Sequence, residues 1–213
     1  MKENLSEKVI KRLTLYHFIL LDCELSGLEY ISSPRIAELL GMDNSQVRKD
    51  IKMVNHVGKS KIGYDVKVLK KCIEDALKFK KNKDAFIVGA GNMGSALIKY
   101  DDLKDYGLNI LALFDKDPSK IGTTINSKEV FHLSKLPNLV ERLNVDMAIL
   151  TVPKETAQVC ADFLVASGIK YIWNFTPRVL KVDKDVRVWN ENLIGNFLQF
   201  VAEDKVIIDD DRD

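Results

Sequence analysis

Ala85-Phe86-Ile87-Val88-Gly89-Ala90-Gly91-Asn92-Met93-Gly94 decides the fold of this chain. Four apolar residues running directly into Gly-x-Gly-x-x-Gly read as a buried strand, and Ala96-Leu97-Ile98 after the turn read as a helix. In that setting Gly89 serves the tight turn, Gly91 lets the backbone approach a pyrophosphate, and Gly94 lets the helix pack closely on the strand. Asn92 and Met93 open the helix beside the same cradle. A second strand, Ile110-Leu111-Ala112-Leu113-Phe114, ends in Asp115, 21 residues beyond Gly94. That spacing suits a carboxylate on the adenosine ribose hydroxyls. The expected cofactor is NAD (NADH/NAD+), because Asp115 disfavours a 2′-phosphate, while Lys116 and Lys120 could lie near the ribose 2′ position and leave NADP(H) as the lesser alternative.

The alternation continues. Met147-Ala148-Ile149-Leu150-Thr151-Val152-Pro153 reads as a strand reaching a loop, residues 155–167 as a helix, and Tyr171-Ile172-Trp173-Asn174-Phe175 as another strand. Thr151-Val152-Pro153 and Asn174-Phe175-Thr176-Pro177 therefore stand at carboxyl ends of strands, where open α/β sheets bind ligands. Their prolines suit strand-to-helix turns as well as cofactor contacts. The expected fold is α/β: an N-terminal winged helix-turn-helix over residues 1–83, a Rossmann-type doubly wound parallel sheet over 84–189, a C-terminal dimerisation helix over 190–205, and an acidic tail over 206–213. The last helix carries Leu193, Ile194, Phe197, Leu198 and Val201 in a stripe wide enough to pack on a partner.

Upstream, Val9, Ile10, Leu13, Tyr16, Ile19 and Leu20 repeat at helical spacing over residues 7–23. Ser33-Pro34 reads as a cap and first turn, Ile36, Leu39 and Leu40 as a short apolar face, and Gly41 as its end. Asp43 with Gln46 three residues on reads as a capping box, so a third helix restarts after a tight turn, as in a helix-turn-helix. On it Val47, Ile51 and Val54 share one side, and Ser45, Arg48, Lys49 and Lys52 the other. In a major groove Gln46 would meet adenine edges, Arg48 guanine or phosphate, and the lysines phosphate. Residues 57–66 read as a β-hairpin wing with Lys59 and Lys61 at a basic tip, Asp65 as the cap of a further helix, and residues 78–83 as a solvated linker.

Charge follows the same division. Residues 1–83 hold 17 Lys/Arg against 11 Asp/Glu and the remainder 15 against 20, although the whole chain of 213 residues nets only +1. The basic first third suits a polyanion, here double-stranded DNA, and the acidic remainder does not. With 46% hydrophobic and 30% charged residues the chain suits a folded globular protein, not a disordered one. No apolar run reaches the roughly 18 residues needed to cross a bilayer, and residues 1–8 lack a signal-peptide pattern, so a cytoplasmic location and no membrane partner are expected. Cys23, Cys72 and Cys160, and likewise His17, His56 and His132, are scattered without metal-ligand spacing: no metal is expected, and the thiols read as buried and reduced. Catalysis has little to stand on. A dehydrogenase needs a proton donor or acceptor beside the nicotinamide. Lys154 and His132 offer little for that role, and the chain is not expected to be an enzyme. A cofactor-binding module whose helix-turn-helix grips another protein is the other alternative, and steep salt dependence of DNA affinity would separate the two.

Taken together, Gln46-Val47-Arg48-Lys49-Asp50, Gly63-Tyr64, the glycine fingerprint, Phe114-Asp115-Lys116-Asp117-Pro118, Thr151-Val152-Pro153 and Asn174-Phe175-Thr176-Pro177 resemble the bacterial Rex redox-sensing repressors over nearly the whole chain. The resemblance implies a homodimer with a domain-swapped C-terminal helix. It also implies binding to palindromic operators of fermentation and respiration genes, and release when NADH displaces NAD+. It further implies a contact between an Arg late in the first helix, a Tyr after the first Rossmann helix and an Asp on the partner's swapped helix. Counted without gaps those positions hold Phe18, Tyr100 and Asn192. Loss of both charges together is coherent, since loss of one would strand a buried charge at about 3–5 kcal/mol. The wing also departs, with Val54-Asn55 in place of the family's aromatic and glycine, and Lys59-Ser60-Lys61 at the tip. The expectation is an NAD(H)-binding redox-sensing repressor that is released or modulated by NADH, and the alternative is a Rex-like paralogue whose DNA affinity is coupled to NADH weakly or with different strength.

Overall fold

A computed structural model describes residues 5–56, 58–59, 62–78 and 82–209, and the chain divides into two compact units between residues 81 and 82. The N-terminal unit holds α1 (Glu7–Leu25), β1 (Tyr30–Ile31), α2 (Ser33–Leu40), α3 (Asn44–Met53), β2 (Tyr64–Asp65) and α4 (Val66–Leu77). Its core is one stripe of α1, Val9, Leu13, Tyr16, Leu20 and Cys23, packed with Ile36, Val47, Ile51, Leu69 and Ile73. The three-and-four spacing dictates that stripe. Ile10 lies one position off it and is exposed, and α1 runs two residues beyond the expected Cys23.

The caps differ in detail from the sequence reading. Ser32, not Ser33, caps α2: its Oγ accepts the Arg35 N–H at 3.3 Å, Pro34 falls in the first turn, and Ser33 is buried. Ala37 takes the inward place read for Leu39, which is exposed, because the face is set by Ile36 and its neighbour. Gly41 ends α2 at φ 60, in the left-handed region. Asp43 caps α3, its Oδ1 accepting the N–H groups of Ser45 and Gln46 at 2.8 and 3.2 Å. The reciprocal half of the capping box does not form: the Gln46 amide turns down the helix to Asp50. Of the wing read over residues 57–66, positions 57, 60 and 61 lie outside the described residues. Lys59 and Gly63 make one antiparallel bridge, and Tyr64–Asp65 pairs with Tyr30–Ile31 instead. Those two residues satisfy their backbone groups against a strand remote in sequence, which a local pattern does not reveal. Lys61 lies outside the described residues.

The C-terminal unit is built on a sheet of order β5-β6-β4-β3-β7-β8-β9, made of β3 (Lys83–Val88), β4 (Leu108–Asp115), β5 (Thr124–Ile125), β6 (Lys128–His132), β7 (Met147–Leu150), β8 (Tyr171–Asn174) and β9 (Arg187–Asn190). All pairings are parallel except β5 with β6. Helices α5 (Asn92–Ile98), α6 (Asp102–Asp105), α7 (Leu136–Leu143) and α8 (Ala157–Ala166) connect them, and α9 (Leu193–Asp209) follows the last strand. Near-continuous apolar strands such as Ala85–Val88, buried throughout, are what a sheet covered on both faces requires.

Several boundaries move. Lys83 is no linker residue but the first of β3, paired with Leu108. Asn190 closes β9 and is not helical, while residues 206–209 continue α9 where a tail was read. Residues 210–213 of that tail lie outside the described residues. The strands β5, β6 and β9 were not read from sequence. Asn126 and Ser127, both at positive φ (47 and 62), form the two-residue turn that joins β5 to β6.

Candidate functional site

The strand order reverses beside β3, with β4 and β6 on one side and β7, β8 and β9 on the other. Ligands of open α/β sheets bind at such a switch, outside the carboxyl ends of the strands. Here those ends carry Gly89 and Thr151. Gly89 sits at φ 107, and the Thr151 Oγ1 donates to its carbonyl at 2.8 Å. A Cβ at Gly94 would fall 2.1 Å from the Gly89 carbonyl oxygen, so Gly94 is demanded by helix-on-strand contact. Gly91 differs from both. Its backbone is extended (φ −84), and among the described residues no atom lies within 4 Å of a Cβ built there. Neither strain nor internal packing requires glycine at this position. The space in front of it is open, and a pyrophosphate would find room there. Asn92 and Met93 flank it, both exposed.

Asp115 ends β4 facing the cradle. Its Oδ1 accepts the backbone N–H groups of Lys116 and Asp117 at 2.8 and 3.0 Å; its Oδ2 accepts the Ala90 N–H at 2.9 Å and the Lys120 ammonium at 3.1 Å. All four lone-pair positions of the carboxylate are engaged. Burial pushes the Asp115 carboxyl up. The Asp117 N–H, the Lys120 ammonium and the Ala90 N–H outweigh it and hold the group below its ordinary value. The carboxylate is thus first an organiser of the glycine loop, and a ribose hydroxyl would have to take the place of Lys120. Because the folded value is depressed, Asp115 contributes stability above the unfolded carboxyl range near about 4, and that contribution is lost as pH falls through the folded value. Asp115→Asn is expected to flatten the acid limb of thermal stability between about pH 2 and 5. It should also lower NADH affinity at least about tenfold while sparing DNA binding, since a carboxamide offers one acceptor oxygen where two are used. Melts across that range and an NADH fluorescence titration check it.

The other expected ligand residues divide. Asn174 and Thr176 are buried: Asn174 donates to the Arg178 carbonyl and to Asn190 Oδ1, both at 2.8 Å, and accepts from the Thr176 N–H and hydroxyl at 3.0 and 2.7 Å. Their side chains are engaged inside the loop after β8, where they shape it. Val152 and Phe175 are half-buried, Pro153 and Pro177 exposed, and Lys116 is exposed beside Asp115. Tyr100, just past α5, is 57% exposed. Asn192 caps α9, its Oδ1 accepting the Gly195 N–H at 2.9 Å, and Phe18 is 45% exposed on α1.

In the N-terminal unit Val47 and Ile51 are fully buried while Ser45, Arg48, Lys49 and Lys52 are exposed, so α3 presents a cationic face. Arg48 Nε donates to Ser33 Oγ at 3.1 Å, which tethers the guanidinium to the start of α2. The Lys59 ammonium lies 5.4 Å from the centre of the Tyr30 ring. Sequence reading missed Asp50 as a central group. It is 1% exposed and accepts from Arg12, Tyr16 and Gln46. The signal was present: Arg12 and Tyr16 are four apart, as are Gln46 and Asp50, and Asp50 falls at the edge of the apolar arc of Val47, Ile51 and Val54.

A cationic helix-turn-helix surface and a dinucleotide cradle carried by one chain define a nucleotide-responsive transcription regulator. Two family models match, one described as a CoA binding domain over residues 80–178 and one as a putative DNA-binding protein N-terminus over residues 4–51. A redox-sensing transcriptional repressor Rex from Treponema denticola is 43% identical over 88% of this chain and 90% of that protein. The chain belongs to the Rex family of redox-sensing transcriptional repressors. Among solved structures, RSP in complex with β-NAD+ and operator DNA superposes with a TM-score of 0.86 at 32% identity, covering 99% of each chain. RSP in complex with β-NADH does so at 0.84 and 34% identity, covering 96% of this chain and 98% of that one. The relatives are repressors, which settles the choice between regulator and dehydrogenase in favour of the regulator.

Proposed function

We propose that the chain binds palindromic operator DNA as a homodimer through α3 and the segment around Lys59, holds NAD+ or NADH at the cradle after β3, and lets go of DNA when NADH replaces NAD+. The observation that carries this is the open space in front of Gly91, a position where nothing inside the protein calls for glycine, in a chain whose other unit offers Arg48, Lys49 and Lys52 on one helix face. RSP, the structural relative, has been captured with NAD+ and operator together and with NADH. Gly89, Gly91, Asn92, Met93 and Gly94 would line the diphosphate, with Asp115, Lys116 and Lys120 at the adenosine end. The loops of Thr151-Val152-Pro153 and Asn174-Phe175-Thr176-Pro177, with Tyr100, would complete the site. Leu193, Ile194, Phe197, Leu198 and Phe200 of α9, all more than half exposed, support a second copy as the dimerising partner. The workplace of such a repressor is the cytoplasm.

NAD(H) differs between its redox states only at the nicotinamide ring, which becomes uncharged on reduction. The protein converts that difference into DNA release only if the two cofactor states bind its DNA-competent and DNA-incompetent arrangements with different affinity. A second reading, weaker or altered coupling, is favoured by Asn192 acting as a helix cap and Phe18 standing apolar where the family resemblance puts a charged pair. Fluorescence anisotropy on a palindromic Rex-type operator at one salt concentration, without cofactor, with NAD+ and with NADH, decides. Selective release by NADH is expected. Equal binding under all three conditions would favour the second reading, and no binding at all would move the helix-turn-helix to a protein partner.

A further inference from the structure

Asp50 lies on α3 with its carboxylate 1% exposed, and it is surrounded by donors. Arg12 Nη2 and Gln46 Nε2 donate to Oδ1, each at 2.8 Å; Arg12 Nε and Tyr16 Oη donate to Oδ2 at 2.5 and 2.8 Å. Arg12 reaches it as a two-pronged fork from α1, and Tyr16, one turn on, is wholly buried. Burial pushes the carboxyl of Asp50 up, but Arg12, Tyr16 and Gln46 together hold it below its ordinary value, so it stays ionised. An ionised carboxylate can only accept.

That restriction reaches the DNA-facing end of the helix. Gln46 is in the first turn of α3, next to exposed Ser45 and two residues before exposed Arg48. Its amide has one end that donates and one that accepts, and Asp50 can take only the donating end. The carbonyl oxygen, Oε1, therefore faces away, with the second N–H of Nε2 beside it, and among the described residues no bond to Oε1 is found. This pair, an acceptor next to a donor, complements the major-groove edge of adenine, whose N6 donates and N7 accepts, and not that of guanine, whose O6 and N7 both accept.

We infer that Asp50, held by Arg12 and Tyr16, is a positioning residue that fixes the orientation of the Gln46 amide and thereby makes Gln46 select adenine over guanine at one base of each operator half-site. The inference rests on α3 being the helix that enters the groove. With an amide at position 50 the restriction disappears. With its Nδ2 toward Gln46 in place of Oδ1, Asn gives up the Arg12 Nη2 bond made there and donates to Oε1, so the Gln46 amide turns round and presents its donors outward, the arrangement guanine accepts.

The test is selection of the full-length protein on a pool of duplexes carrying inverted repeats randomised in both half-sites, read by sequencing. Wild type is expected to show an adenine-preferring position that Gln46→Ala erases, with the other positions kept. Asp50→Asn should change the adenine-to-guanine ratio at that same position by at least about tenfold toward guanine. The double variant should show no preference there. A folded Asp50→Asn protein that weakens all duplexes alike, or shifts a different position, overturns the inference by making Asp50 merely structural. If Asp50→Asn does not fold, Gln46→Ala alone decides, because an unchanged adenine preference in that variant is equally fatal. Failure of any duplex to enrich with wild type would instead overturn the DNA-binding reading on which the inference rests.

Discussion

Gly94→Ala is expected to remove both the nucleotide site and much of the stability of the C-terminal unit, whereas Gly91→Ala removes the site alone. The added methyl at position 94 would meet the Gly89 carbonyl oxygen at 2.1 Å, with Thr151 Oγ1 and the Ile87 side chain at 3.0 and 3.1 Å behind it. Backbone cannot step aside as a flexible side chain can. The first turn of α5 must lift from β3, at a cost of about 3 kcal/mol, the upper end for overpacking. At position 91 the methyl enters open space, so stability changes only by the helix-cap difference between Gly and Ala, about 0.5–1 kcal/mol. Yet it stands where a diphosphate would come against the backbone, and NADH affinity is expected to fall at least about 100-fold, near 2.7 kcal/mol. Thermal melts paired with NADH titrations separate the two variants. Equal melting losses in both would show that position 91 is a packing site and would remove the main support for the cradle.

Arg48→Ala is expected to abolish specific operator binding with NADH affinity intact. Arg48 is exposed on the cationic face of α3 and tethered by Ser33, so its guanidinium is partly pre-organised toward the groove. A bidentate contact to guanine is worth about 1–3 kcal/mol of discrimination. In a homodimer it is made twice, which puts the loss between about 30-fold and about 10⁴-fold. Lys49→Ala and Lys52→Ala behave differently, weakening all duplexes alike and shallowing the salt dependence of binding, as lost phosphate contacts do. Anisotropy titrations at several salt concentrations, on specific and scrambled duplexes, distinguish these cases. If Arg48→Ala weakens both duplexes to the same degree, Arg48 serves phosphate and the base contact lies elsewhere on the helix.

What proved legible depended on how local the cause was. The stripe of Leu13, Tyr16 and Leu20, the opposite placement of Ile51 and Lys52, and the strand leading into Gly89 follow from periodicities of 3.6 and 2 within a few residues. Interrupted or short elements were harder. The strand Arg187–Asn190 exists because it pairs with Tyr171–Asn174, and β2 because it pairs with Tyr30–Ile31, partners that no local window contains. Caps slipped by one residue where two serines, Ser32 and Ser33, compete for the same role.

The division is sharpest among polar residues. Sequence alone determined which residues could carry function: a glycine turn between strand and helix, an acid at the end of the next strand, a basic face on a short capped helix. Those are properties of residue type and spacing. Only the tertiary structure decided how each polar group is used, because that depends on which donors and acceptors the fold brings to it. Asn174 and Asp115 have similar positions at strand ends. One is sealed in its own loop, and the other ties down the cradle through Ala90. In the sequence Asp50 is only the last residue of Gln46-Val47-Arg48-Lys49-Asp50, whereas in the fold Arg12 and Tyr16, more than thirty residues away along the chain, close on it from α1. A buried carboxylate must find its hydrogen bonds wherever the fold supplies them, and sequence distance has no bearing on that demand.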